Sequence, residues 1–137
     1  MNLEIQHINQ LKYQPIIGLP FAQIILPLNL KGTFTYKVPA ELSSSLQIGM
    51  RVLVAFGGKK IYTGIVFDLH DQEPETFVPK EIINILDDFP ILPKEQIQFW
   101  KWLADYYICN IGEIYRFSFP GSLKLESETY LKLRPNV

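Results

Sequence analysis

The stretch GMRVLVAFGGKKIYTGIVFDL, residues 49–69, decides how this chain folds. In an extended conformation Val52, Val54 and Phe56 fall on one face, and Arg51, Leu53 and Ala55 on the other. Gly57-Gly58-Lys59-Lys60 follows, and a glycine pair permits the positive φ angles of a tight hairpin turn. IYTGIVFDLH then returns as a second strand, with Gly64 marking a bulge or a close backbone approach. The result is a β-hairpin with three cations, Arg51, Lys59 and Lys60, around its turn and no carboxylate before Asp68.

Working outward, FAQIILPL (21–28) is an apolar run that fits a buried strand. After the turn NLKG, the segment TFTYKVP alternates, with Phe34, Tyr36 and Val38 on one face and Pro39 as its stop. AELSSSLQIG reads as a loop or a short turn of helix. Downstream of the hairpin, DQEPETFVP is an acidic loop and KEIINILD a further isoleucine-rich strand. After Pro93 the period changes. KEQIQFWKWLADYYI (94–108) spaces Ile97, Trp100, Leu103/Ala104 and Tyr107 three to four apart, an amphipathic helix. CNIGEIYRFSFPGS opens with a break and holds a second short helix. ESETYLKLRP alternates like a strand, and residues 1–20 read as an extension ahead of the first core strand. Five short strands with packed helices predict a mainly β fold with some α (α+β), a small antiparallel OB-like barrel.

The chain has 137 residues, enough for one domain with a real core. Aromatic residues make up 13%, which suits either a ring-filled β core or a stacking surface. Ten prolines and eight glycines favour many turns over long helices. A single cysteine, Cys109, excludes a disulfide framework, and two distant histidines make a metal site improbable. The sequence has no apolar run long enough for a membrane-spanning helix, and a reduced cytosolic setting is the expectation. Charge is uneven: Lys31, Lys37, Arg51, Lys59 and Lys60 face only Glu41 between positions 29 and 60, whereas the next 30 residues are strongly acidic. A solvated face explains this, and so does a small cationic spot suited to one phosphate or one chain end.

Catalytic motifs are missing. Gly58-Lys59 lacks the upstream glycine and the following Ser/Thr of a phosphate-binding loop, and no serine elbow or His-Glu-x-x-His is present. Asp87 and Asp88 are adjacent and point apart, so they make a poor acid–base pair. The expectation is a binding module with no catalytic residue and no cofactor of its own.

Four blocks, in order, carry a resemblance: AQIILPLNLKGTFTYKVP, IGMRVLVAFGGKKIYTGIVFDL, KEIINILDDFPIL and WLADYYICNIGEIYRFSFPGSL. Together they resemble the N-terminal domain of the PriA family, the bacterial replication-restart helicases also called primosomal protein N′, from about Phe21 to Leu123. The resemblance implies a DNA-binding module that captures the 3′ end of the nascent leading strand at stalled forks. It also implies that residues 124–137 lead toward a winged helix and a helicase motor outside this chain. ATP, Mg and Zn, the primosome proteins and single-stranded DNA-binding protein would then belong to the longer protein.

By the same resemblance, the 3′-end pocket maps onto Phe34 and Thr35 in GTFTY, Gly57 in AFGG and Lys80 in PKEIINIL. Phe34 offers a face for a terminal base, although core packing accounts for it equally well. Gly57 allows a sugar to approach its backbone, and is also what a plain hairpin turn needs. Lys80 is the only lysine or arginine between positions 61 and 90. Thr35 departs from the aspartate common in relatives, keeping hydrogen-bonding capacity but no charge. Arg51, Lys59 and Lys60 are candidate phosphate contacts near the turn. A general single-strand-binding OB-like domain and a peptide-binding adaptor barrel are the competing readings.

Overall fold

The computed structural model describes residues 18–119. Most of the expected N-terminal extension, the ESETYLKLRP strand and the link beyond residue 124 lie outside the described residues. The described elements run β1 (Phe21–Ile25), β2 (Phe34–Lys37), α1 (Ala40–Ser43), β3 (Arg51–Phe56), β4 (Lys60–His70), β5 (Asn84–Ile85), α2 (Lys94–Tyr107) and α3 (Ile111–Ser118). One antiparallel sheet has the order β2-β1-β4-β3-β5. This is the expected α+β class.

The alternation read from the sequence sets the two faces of the sheet. Ala22, Ile24, Tyr36, Val52, Val54 and Val66 form one buried cluster, with Phe34 and Phe56 packed against it. On the other face Ile25 and Ile65 pack under the helices, against Ile97, Trp100, Ala104, Ile111 and Tyr115. The Tyr115 hydroxyl donates to the Thr63 carbonyl at 2.9 Å, which fixes α3 to β4.

β4 is long because two local devices let it curl. Gly64 sits opposite Val52, and a Cβ there would run into the Ile24 side chain and crowd the Ile25 carbonyl. The expected close backbone approach is therefore present. Further along, the β1–β4 register jumps from Gln23↔Asp68 to Ile24↔Val66, leaving Phe67 as an extra residue. Such a bulge bends and twists its strand. Here it also resets the alternation, so that Val66 and Leu69 serve one cluster while Phe67 turns to the helical side.

The sheet does not close into a barrel. Its would-be closing segment, KEIINILD, forms only a two-residue strand, shorter than the alternation suggested. The segment changes partner partway along. Lys37 N–H donates to the Lys80 carbonyl (2.8 Å) and Ile82 N–H to the Lys37 carbonyl (3.0 Å), a parallel bridge centred on Glu81. From Ile83 onward the bonds go to β3 instead, to the Leu53 and Arg51 carbonyls. A segment that serves β2 for one bridge and β3 for the next cannot form a ladder with either along its length. A seam stays open above the bridge.

α2 starts and stops close to expectation, but Tyr107 is 67% exposed rather than part of the buried stripe. Ile108 takes a left-handed conformation (φ 52°) and ends the helix, and beyond the buried Ala104 its last turn leaves Tyr106 and Tyr107 exposed. No described helix is long and apolar enough to cross a membrane.

At the far end of β3, Arg51 is held by Asp87. Its Nη2 donates to Oδ1 at 2.7 Å, its Nε donates at 3.1 Å to Oδ2, and its backbone N–H donates to Oδ2 at 2.8 Å. Burial pushes the Asp87 carboxyl up, yet the Arg51 hydrogen bonds and charge outweigh it and hold the group below its ordinary value. A depressed folded-state value means stability that is present above the unfolded pKa of about 3.9 and lost as pH falls through the folded one. Asp87→Asn should lower Tm at neutral pH, by an amount equivalent to about 1–3 kcal/mol. The gap to wild type should begin to narrow below about pH 4 and close only once the pH has fallen through the depressed folded-state value, where the wild-type carboxyl is itself protonated. Gly64→Ala should cost about 1–3 kcal/mol through overpacking, read as a drop in the urea midpoint with unchanged slope.

Candidate nucleic-acid interface

The open seam is a pocket. A cavity of about 270 Å³ lies between the start of β2, the end of β3 and the loop before Lys80. Phe34, Thr35, Gly57 and Lys80 all line it, although they come from three separate parts of the sequence. The sequence reading therefore named four residues that share one cavity.

Each wall has a local cause. Phe34 lies on the interior face of β2, where its ring meets Phe56 edge-on (centroids 4.8 Å apart, 64° between planes). It is only half-buried, so the ring serves both the core and the cavity. Gly57 and Gly58 both hold positive φ, 67° and 88°, as the hairpin turn requires. A Cβ on Gly57 would meet nothing within 4 Å, so the space beside this backbone is open. Lys80 is exposed, and its carbonyl is pinned to β2 by Lys37.

Thr35 contributes differently from its side-chain chemistry alone. Its hydroxyl donates to Gln23 Oε1 at 2.9 Å, across the β1–β2 pair. Lys37 directs its N–H and C=O away from β1, toward the Lys80 segment. Thr35 is two residues earlier and shares that parity, so its N–H and C=O also face the seam. A continued parallel ladder would bond Thr35 N–H to the Val78 carbonyl and Lys80 N–H to the Thr35 carbonyl. Neither bond is formed among the described residues. The cavity edge thus presents a backbone donor and a backbone acceptor.

Sequence reasoning missed the other six lining residues, Tyr36, Ala55, Phe56, Phe77, Val78 and Pro79. Tyr36 and Phe56 read as plain core, whereas Phe77 and Val78 stand in the acidic loop, 51% and 92% exposed, and form an apolar outer wall with Pro79. The available signal was an apolar Phe-Val-Pro run set among carboxylates. Tyr36 is buried, and its hydroxyl donates to the Ala55 carbonyl at 2.6 Å, crossing from β2 to β3. Burial raises the Tyr36 hydroxyl to about 12.

The three candidate phosphate contacts separate. Lys59 and Lys60 are exposed on the hairpin beside Gly57. Arg51 is at the opposite end of β3, absent from the cavity lining and engaged by Asp87. Its guanidinium has a structural role that a reading of charge along the chain did not reveal.

Tyr36→Phe should cost about 0.5–1.5 kcal/mol for the lost bond to Ala55, measured by thermal or urea unfolding. Because the folded-state value is raised, the wild-type advantage from this group should be complete below about pH 10 and disappear as pH climbs through about 12.

Residues 23–120 match the family described as the 3′ DNA-binding domain (3′BD) of PriA. The chain is 30% identical over 118 residues, 82% of its length, to Replication restart protein PriA of Bacillus subtilis (strain 168). It is 32% identical over 107 residues, 77% of its length, to the protein of that name from Haemophilus influenzae, and 25% over 100 residues, 69% of its length, to that of Treponema pallidum. It spans only 14% to 15% of these relatives' own lengths. With a family match across its folded core and relatives of one name, the chain belongs to the PriA 3′ DNA-binding domain family.

Proposed function

We propose that the seam cavity binds the terminal nucleotide of a DNA strand at its 3′ end, and that the chain serves as the end-reading module of a replication-restart protein. The observation that carries this reading is the meeting of Phe34, Thr35, Gly57 and Lys80 in one cavity. The Phe34 ring supplies a stacking surface, worth about 1–3 kcal/mol per base in comparable sites. The open backbone of Thr35 and its hydroxyl supply hydrogen-bonding partners for the base or sugar. Lys80, at the rim, supplies one positive charge for a phosphate. The bare backbone at Gly57 lets the sugar approach, while a strand continuing past its 3′ hydroxyl would collide with the turn.

One or two phosphate contacts need no basic expanse, which fits a net charge of −1. The biological target under this reading is the 3′ end of the nascent leading strand at a stalled fork. Helicase action, ATP, Mg and Zn, and contacts with primosome proteins and single-stranded DNA-binding protein are assigned to the rest of the longer protein.

Fluorescence anisotropy with three oligonucleotides tests the reading: one with a free 3′ hydroxyl, one with a 3′ phosphate, and one presenting only its 5′ end. The first should bind best. Phe34→Ala should weaken it by about 1–3 kcal/mol, and Lys80→Ala should weaken it with a reduced salt slope. Gly57→Asn keeps the left-handed backbone that asparagine tolerates and adds a side chain beside the cavity, so binding should fall with little loss of stability. Equal binding of all three probes would point to a general single-strand binder, and no binding to a peptide-binding adaptor.

A further inference from the structure

A second cleft, of about 260 Å³, opens on the helical side of the sheet. Lys31, Gly32 and Thr33 of the β1–β2 loop form one wall, and Lys101, Asp105 and Asn110 of the α2–α3 region the other. Phe67, the bulge residue of β4, contributes to the apolar part of its lining. Both lysines are exposed, and neither makes an ion pair within 4.0 Å among the described residues.

The cleft is preformed. Asn110 Nδ2 donates to Asn29 Oδ1 at 2.8 Å and to Glu113 Oε1 at 3.0 Å, tying the β1–β2 loop to the first turn of α3. Gly112 lets the same loop sit closer still, since a Cβ there would strike the Leu26 and Leu28 carbonyls. Gly32 turns the loop at φ 84°. The two lysines are therefore carried on walls that are bonded to each other.

Position gives the cleft its meaning. Thr33 lines it, and the next residue, Phe34, lines the seam cavity. The two sites are neighbours across the start of β2. We propose that this cleft is a phosphodiester subsite, in which Lys31 and Lys101 hold backbone phosphates of the strand whose 3′-terminal nucleotide occupies the seam cavity. The inference rests on that end-reading function and adds where the strand runs next. Asp105 at the cleft wall limits the site to a few contacts and disfavours a compact, highly charged anion. The single charge of each successive diester suits it better.

The test uses the 137-residue chain with two probes that share a free 3′ hydroxyl: a dinucleotide with a single internal phosphate, and an octanucleotide. Lys31→Gln combined with Lys101→Gln should reduce the octanucleotide's salt slope by about 0.7 per lost phosphate contact, roughly 1.4 in total. Dinucleotide affinity and Tm should stay as in wild type. Lys31→Arg with Lys101→Arg should keep the octanucleotide slope. An unchanged slope in the glutamine variant overturns the proposal, and so does an equal loss on the dinucleotide. If wild type binds the dinucleotide equally with a 3′ hydroxyl or a 3′ phosphate, end reading fails, while the octanucleotide slope still reports separately on the cleft. No octanucleotide binding by wild type overturns both.

Discussion

The hydrogen bond from the Tyr36 hydroxyl to the Ala55 carbonyl joins strands that share no ladder. β2 is one edge of the sheet, and β3 lies beyond β1 and β4. A curled sheet brings them face to face, and this 2.6 Å bond, with the bridge at Lys37, fixes how far they stand apart. The separation matters because the cavity occupies the gap. Full closure by a ladder would fill it with backbone, whereas no cross-tie would let the edges drift. One buried hydroxyl and one bridge leave an opening that is tied across and partly lined by unused backbone groups.

The curl depends on the strand with the least ordinary sequence. β4 carries a glycine where the pleat would otherwise put a methyl against Ile24, and a bulge three residues later. Glycine in a strand interior costs conformational entropy, and a bulge sacrifices pairing. Both are tolerated here because α2 and α3 cover the opposite face, with Trp100 stacked on Tyr115 and Tyr115 bonded to β4. The helical layer thus holds the curvature that the seam requires, although it does not line the seam cavity.

Much of this was legible in the sequence where the signal was periodic or local. The alternations in TFTY and MRVLVAF grouped the residues that share a face, the glycine pair named the turn, and Gly64 announced its close approach. Closure was not legible, because KEIINILD carries a strand-like composition throughout and nothing in it says where it changes partner. Arg51 looked like a spare cation because its carboxylate partner stands 36 residues away. Phe77 and Val78 escaped notice because loop residues follow no period. The four cavity residues themselves came from resemblance rather than from pattern, and Phe34 and Gly57 each had an ordinary structural explanation that remains true beside the proposed one.

That double use bears on the threonine at position 35. Under the proposed reading, a hydroxyl where the resemblance implies a carboxylate takes a charge away from the rim of a site for a polyanion, which lessens repulsion as well as hydrogen-bonding strength. Here the hydroxyl proton goes to Gln23, which leaves only the oxygen's lone pairs for any further contact. The main-chain N–H and C=O on the open edge do not depend on side-chain identity at all. Under the proposed reading, the edge of an unclosed sheet keeps a donor and an acceptor at the cavity rim whichever residue stands there. The substitution then changes the strength of one contact while leaving the geometry of the site to the backbone.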